Sequence, residues 1–501
     1  MGLEDKLNEL KARVTELSTL GEVMALLNWD QACYMPPGAS EDRARQMAAL
    51  GALIHDKATA PEMGQLVEDL AAELGDLNAD TLEAREVYLA KERFEKTAKV
   101  PRELALEIIA AESRGHDTWV KAKRENDFAV FAPDLKRIFD LAKARAAYFK
   151  PYDHVYDVLL DDYERGMKTA EVQAVFDWLK PRQTELVHRI LQAPQPDDSF
   201  LERDYDLEGQ RKVGEYAVRK MGYDLYEGRI DRSDHPFTTS IGRGDVRFTM
   251  RYLPSVRSSL MAHMHEGGHA LHSQGLNPDW RGMYLRRGPS SGIAESQSRL
   301  WENLVGRSRE FWAFFMPVMQ ATFPEHLASV SAEQMYRGLN RVENSLIRIE
   351  ADEATYNLHV MLRMELEIAL LEGKLETRDL PEAWNEKMRA NLGLTPPTDS
   401  LGVLQDMHWS SGLIGYFPTY SLGNLYASQF WNQLLKEQPG IPDQVARGEF
   451  GSILEWMRAK VHRVGTRYDP QVILERATGE RLNPKYYMDY LTEKYTEIYG
   501  L

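Results

Sequence analysis

Cysteine is almost absent from this chain. Of 501 residues only Cys33 carries a thiol, so no disulfide can form within the chain and nothing calls for an oxidising compartment. Cys33 lies in an apolar stretch and reads as a small core residue. An unbroken run of about 18 apolar residues is also lacking, which excludes a transmembrane helix. The first 20 residues alternate charged and apolar positions instead of forming the apolar stretch of a signal peptide. Gly2 follows Met1, but Lys6 stands where a myristoylation signal needs Ser or Thr. An excess of positive charge is missing too: 61 Lys and Arg face 77 Asp and Glu, a formal net charge of −16. Non-specific nucleic-acid binding needs the opposite balance. The expectation is a cytoplasmic protein with no membrane or nucleic-acid partner. Its hydrophobic fraction of 43% suffices for a sizeable core.

Strand patterns are scarce, and helical periodicity dominates. Thr59-Ala-Pro-Glu62 and Ser331-x-x-Gln334 read as capping boxes. The second opens a helical run, broken near Gly338, that closes at Gly373. Asp245 to Leu253 alternates, with Val246, Phe248, Met250 and Tyr252 on one side. Phe237 to Ile241 can pair with it across Gly242 to Gly244. The expected fold is mainly α with one small sheet. Ala193-Pro-Gln-Pro-Asp-Asp-Ser199 reads either as a linker or as a surface loop, so a single domain over 1–501 carries a candidate subdivision near 194–205. Repeats and low-complexity tracts are lacking.

Chemistry concentrates in Met264-His265-Glu266-Gly267-Gly268-His269-Ala270. This is H-E-x-x-H inside a helical run from about Ser255 to Gln274, ended by Gly275. Residues four apart share a helix face, about 6 Å along the axis, so two imidazoles can converge on one tetrahedral metal. Glu266 falls beside that metal, where it can take a proton from water. Two adjacent glycines cost roughly 1 kcal/mol each in helix propensity, which points to something packed closely against them, substrate or another helix. His263 and His272 lie off the motif spacing and read as structural. A catalytic zinc needs a third protein ligand and one open position. The metzincin histidine is missing, and Glu295 and Glu302, seven apart on the next helix, both remain candidates.

Further segments accompany the motif in a fixed order: His235-Pro-Phe237, Asp245-Val-Arg-Phe-Thr249, Glu295-Ser-Gln297, Ile347-Arg-Ile-Glu-Ala-Asp352 and Gly402-Val-Leu-Gln-Asp-Met-His-Trp409. With them the chain resembles the thermostable carboxypeptidase Taq family of HExxH zinc metallocarboxypeptidases. The resemblance implies a large helical fold with a deep substrate groove, similar to neurolysin and angiotensin-converting enzyme. It implies a homodimer, one zinc per subunit that cobalt or another divalent metal can replace, and peptide substrates with a free C-terminus. It makes Glu295 the third ligand beside His265 and His269. One departure stands out: the family pattern has histidine where this chain has Ala294. Loss of an imidazole beside a ligand can cost roughly 10- to 100-fold in metal affinity or activity. His235 and His408 are candidates to replace it.

The roles that follow are Glu266 as general base, and Tyr420, ahead of Tyr416, as the phenol that stabilises the oxyanion, with His408 as a second donor. A free C-terminal carboxylate suits an arginine fork. Arg348 leads on the resemblance; otherwise it reads as a solvated helix residue paired with Glu343 or Asp352. Arg247 is second, on a strand that could also pair with an extended peptide at its edge. Competing readings are an oligoendopeptidase or dipeptidase on the same scaffold, or a helical scaffold protein with a degenerate metal site, which Ala294 favours.

Overall fold

The helical periodicity is realised along nearly the whole chain. In the computed structural model, which describes residues 2–501, helices run from Leu3–Cys33 to Lys485–Tyr499. Three strands interrupt them: β1 (Gly228–Arg232), β2 (Thr238–Gly242) and β3 (Asp245–Met250), in the order β1-β3-β2. The fold is therefore mainly α with one small sheet. β2 and β3 form the expected antiparallel hairpin, with Thr238 opposite Phe248. β1, parallel to β3, is an addition to the sequence reading. Its Gly-Arg-Ile-Asp-Arg has no apolar alternation, and Gly228 is what lets it dock. A Cβ there would stand 2.2 Å from both the Tyr223 hydroxyl and the Val246 carbonyl oxygen.

Helix punctuation follows the sequence in most places. Ser331 and Gln334 form a reciprocal box, at 3.1 Å and 2.9 Å. The helix Ala332–Leu339 stops beside Gly338, and the run resumes as Tyr356–Leu371, with Gly373 beyond it at φ +72°. The Thr59 box is not formed. Thr59 instead ends the helix Ser40–Ala58, its hydroxyl donating to the His55 carbonyl at 2.9 Å, and Pro61–Leu74 starts at Ala60 without a side-chain cap.

One large apolar core takes residues from both sides of the proline-rich stretch, Phe139 and Leu186 before it, Val213 and Leu425 after it. The stretch itself is pinned through Asp198, which pairs with Arg257 and Arg341. A second, smaller core joins Leu10, Met63 and Leu70 of the N-terminal helices to Trp280 and Leu285. No helix among the described residues is long and apolar enough to cross a membrane.

Burial also sets the response of the fold to acid. Burial pushes His263, His272 and His408 down to about 4, His359 to about 3, and His462 well below its usual value of 6.5. Each stays neutral in the fold while the unfolded chain takes up its proton. Their contribution is complete above pH 6.5 and is lost as pH falls toward 4. Burial raises Glu164 and Glu367 to about 7 and Asp352 to about 6, which opposes this in the same window. His359 isolates one such contribution, because neither ring nitrogen has a partner. Urea unfolding of the metal-free protein at pH 7.5 and 4.5 should show a loss of stability that His359→Leu reduces by about 2–3 kcal/mol. An unchanged loss would contradict a neutral His359 in the fold.

Candidate active site

The motif helix spans Ser259–Gly275 and packs against β3, the helix Leu207–Met221 and the helix Ser291–Arg299. The two glycines inside the motif face protein. A Cβ on Gly267 would stand 2.8 Å from Val218, and one on Gly268 would stand 2.6 Å from the Gln297 carbonyl oxygen. Helix Ser291–Arg299 can therefore press against the motif. His265 and His269 stand edge to face, with ring centroids 4.9 Å apart. Their Nε2 atoms lie 3.9 Å and 3.6 Å from Glu295 Oε2. One donor atom from each of the three residues falls within 4.8 Å of the others. Two imidazole nitrogens and one carboxylate oxygen at this spacing fit a divalent cation of the zinc kind and leave a position open.

The two glutamates left open by the spacing separate here. Glu302 lies on a π-helical turn, Leu300–Val305, that continues the helix Ser291–Arg299. Its Oε2 sits 2.8 Å from His265 Nδ1, which leaves Nε2 facing Glu295 and His269. Glu302 thus fixes the orientation of the His265 ring from behind. Arg299 bridges the pair: Nε donates to Glu295 Oε1 at 2.7 Å and Nη1 to Glu302 Oε2 at 3.1 Å. Burial alone would raise both carboxyls. Arg299 and the imidazoles outweigh it, holding Glu302 at about 2 and Glu295 lower still. Sequence reasoning did not single out Arg299; its i,i+4 and i,i+3 spacing to the two acids was the available signal. Gly423, on the helix Pro418–Glu437, completes the fit, since a Cβ there would stand 2.4 Å from Glu295 Cγ.

Glu266 is buried, and Thr238 of β2 donates to its Oε2 at 2.7 Å. The sheet thus reaches the motif through its β2 edge. On the other side lies an aromatic group. Tyr420 and His408 are joined at 3.1 Å between the phenol oxygen and Nε2, and Tyr416 stands edge-on to Tyr420 with centroids 5.2 Å apart. Burial, aided by the charge of Glu295, raises Tyr416 to about 12, and burial raises Tyr420 well above the usual phenol value against the pull of Arg348, so both phenols keep their protons.

Two of the separated segments meet beneath these rings. Arg348 takes Asp406 Oδ1 with Nε and Nη2, at 3.1 Å and 2.8 Å, and its N–H donates to Gln405. Arg363 binds the other Asp406 oxygen through Nε at 2.7 Å. The partner of Arg348 is therefore Asp406, neither Glu343 nor Asp352, and the residue is buried, not solvated. One edge of its fork is spent. The opposite nitrogen donates to the Tyr356 hydroxyl at 2.6 Å, and the guanidinium lies 4.7 Å below the Tyr420 ring. Two arginines against one aspartate leave a net positive charge under the phenols.

The profile of carboxypeptidase Taq (M32) metallopeptidases matches residues 9–495. The chain belongs to this family. It is 42% identical to thermostable carboxypeptidase 1 of Thermus thermophilus, with 98% of each chain covered, and 37% identical to carboxypeptidase 1 of Bacillus subtilis, with 97% of each covered. The crystal structure of the M32 carboxypeptidase of Deinococcus radiodurans is similar with a TM-score of 0.96 at 41% identity, covering 99% of this chain and 100% of that one. As an M32 metallocarboxypeptidase the protein is a peptide hydrolase that depends on a divalent metal, and the scaffold reading falls away.

Three other residues of this M32 carboxypeptidase stand apart from the triad. Arg247 sits on β3, next to Phe248 but on the opposite face, away from Thr238 and the motif helix. Asp245 takes its fork at 2.6 Å to each oxygen, and Trp29 covers the guanidinium at 4.2 Å. β3 is paired on both sides, so edge addition there is excluded; β2 is the edge strand next to Glu266. His235 is exposed in the loop before β2. Ala294 is half-buried and lines a cavity.

Proposed function

We propose that this metallocarboxypeptidase holds one zinc per subunit on His265, His269 and Glu295 and removes single residues from the C-terminus of peptides. Convergence of those three donor atoms, with Glu302 fixing one imidazole, carries the reading. Cobalt suits the same donors. When bound, such a metal supplies Lewis acidity to the scissile carbonyl and the attacking water.

The chain's own residues do the rest. Glu266 accepts the proton of the attacking water and passes it to the leaving nitrogen as the C–N bond breaks. Thr238 occupies its Oε2, leaving Oε1 as the acceptor. Tyr420 donates its phenolic hydrogen to the oxyanion, and His408, kept neutral by burial at about 4, fixes that phenol. The free C-terminus lies toward the Arg348–Arg363–Asp406 group, attracted by its surplus positive charge more than by an open fork. The β2 edge and His235 offer contacts to the extended peptide. A single catalytic unit over 1–501, acting as a homodimer in the cytoplasm, completes the proposal.

Incubating a mixed peptide pool with the zinc or cobalt enzyme tests it by mass spectrometry. Ladders should shorten from the C-terminus, and C-terminally amidated copies should lose at least about 1.5–3 kcal/mol in kcat/KM, roughly tenfold or more, with the missing charge. Equal cleavage of amidated peptides would remove the carboxylate claim.

A further inference from the structure

We infer that Glu367 is a positioning residue for the oxyanion donor: it fixes the segment 408–416, which aims His408 and, through it, Tyr420. Glu367 lies on the helix Tyr356–Leu371 and is sealed from solvent. Its carboxylate collects three donors. Oε1 accepts the indole N–H of Trp409 at 2.8 Å. Oε2 accepts the Tyr156 hydroxyl at 2.6 Å and the Gly415 backbone N–H at 3.3 Å. Trp409 immediately follows His408, and Gly415 immediately precedes Tyr416. One buried group therefore holds both ends of the turn that joins these two rings.

His408 needs this support. Its Nε2 bonds the Tyr420 hydroxyl, while its Nδ1 is sealed from solvent with no hydrogen-bond partner, 3.8 Å from Asp406. The ring thus has one hydrogen bond, and its aim is set by packing and by the backbone on either side. Before it, Arg363 holds Asp406 at 2.7 Å and Gln405 at 2.8 Å, from one helical turn ahead of Glu367. After it, Glu367 holds Trp409. Phe417 packs on both rings, with centroids 4.4 Å from His408 and 6.1 Å from Trp409. Gly415 presses the turn onto the helix Val155–Leu160, which carries Tyr156. Its φ is +91°, and a Cβ there would stand 2.8 Å from the Leu159 carbonyl carbon.

The three donors to Glu367 are neutral, and Arg363, whose charge reaches it, is engaged by Asp406 and Gln405. A carboxylate so placed costs stability relative to an apolar side chain of the same shape. Burial accordingly pushes its carboxyl up to about 7. In return the charge draws Trp409 and Gly415 to one point, through hydrogen bonds roughly twice as strong as neutral ones. Glutamine cannot repeat this. Whichever way the amide turns, its NH2 meets an N–H, that of Trp409 or that of Gly415.

This role rests on Tyr420 as the oxyanion donor of the proposed function, and the two are separable by kinetics. The test uses zinc-loaded full-length enzyme and an N-acylated dipeptide at pH 8, above the Glu367 value of about 7. Glu367→Gln should lower kcat about tenfold, the effect of a misplaced donor, with KM and zinc content unchanged. Tyr156→Phe removes the one donor that lies outside the turn. It should lower the melting temperature and leave kcat within about twofold of the unaltered value. Tyr420→Phe should lower kcat about 100-fold. Adding Glu367→Gln to it should cost less than about twofold more, because both act through one hydroxyl. Equal kcat in Glu367→Gln and Tyr156→Phe would make the carboxylate purely structural and overturn the proposal. So would losses that multiply in the double variant, which would place the effect of Glu367 elsewhere. A Tyr420→Phe enzyme within about threefold of the unaltered kcat removes the oxyanion donor itself, and this role with it. Should Glu367→Gln fail to fold, Trp409→Phe breaks the same tie from the other end. It should lose about tenfold in kcat alone and less than about twofold beside Tyr420→Phe; a full multiplied loss overturns the proposal.

Discussion

Glu266→Gln is expected to keep zinc and lose about 10²–10⁴ in kcat, the usual worth of a general base. The amide has the same shape, and Thr238 can still donate to an oxygen at its end. What disappears is the ability to accept a proton from water and deliver it to nitrogen. His265, His269 and Glu295 are untouched, so metal content by plasma emission should stay at that of the unaltered enzyme. Substrate affinity should change little, because the loss belongs to the transition state and not to the ground state. A kcat within tenfold of the unaltered value would remove Glu266 from the mechanism. Loss of zinc alongside activity would show that the substitution disturbed the triad and not the proton transfer.

Legibility in the amino-acid sequence falls with the range of the contact involved. What depends on one helix was legible: H-E-x-x-H fixes two imidazoles a turn apart, and the alternation at 245–250 gives β3. What depends on contacts between distant segments was not. Glu295 and Glu302 are equivalent by spacing, and only the π-helical turn at 300–305 sends one toward both Nε2 atoms and the other behind His265. Asp406 could not be chosen for Arg348 across 58 positions, although both stood in singled-out segments. The glycines 267 and 268 announced a close neighbour without naming it; the neighbours are Val218 and the Gln297–Ser298 backbone. β1 escaped because a charged strand is defined by its partner rather than by its own pattern.

Arg299→Leu should destabilise the metal-free protein by about 3–5 kcal/mol, the cost of leaving buried charges unpaired. Arg299 is the one arginine or lysine among the described residues that is hydrogen-bonded to both Glu295 and Glu302, and it is covered on one side by Tyr356 at 4.5 Å. Without it the two carboxylates face each other across His265, and their ionised forms lose the group that outweighs burial. Zinc should restore part of the loss, since an ion at the triad supplies positive charge to Glu295 but none directly to Glu302. The melting-temperature gain on adding zinc should therefore be larger in the variant than in the unaltered enzyme. Arg299→Lys separates charge from geometry: one ammonium cannot reproduce a guanidinium that uses Nε for one acid and Nη1 for the other, so an intermediate stability is expected. If the stability of Arg299→Leu falls within about 1 kcal/mol of the unaltered apo protein, the bridge is not what holds Glu295 in place. In that case the close packing of Gly423 against Glu295 Cβ and Cγ becomes the element that fixes it.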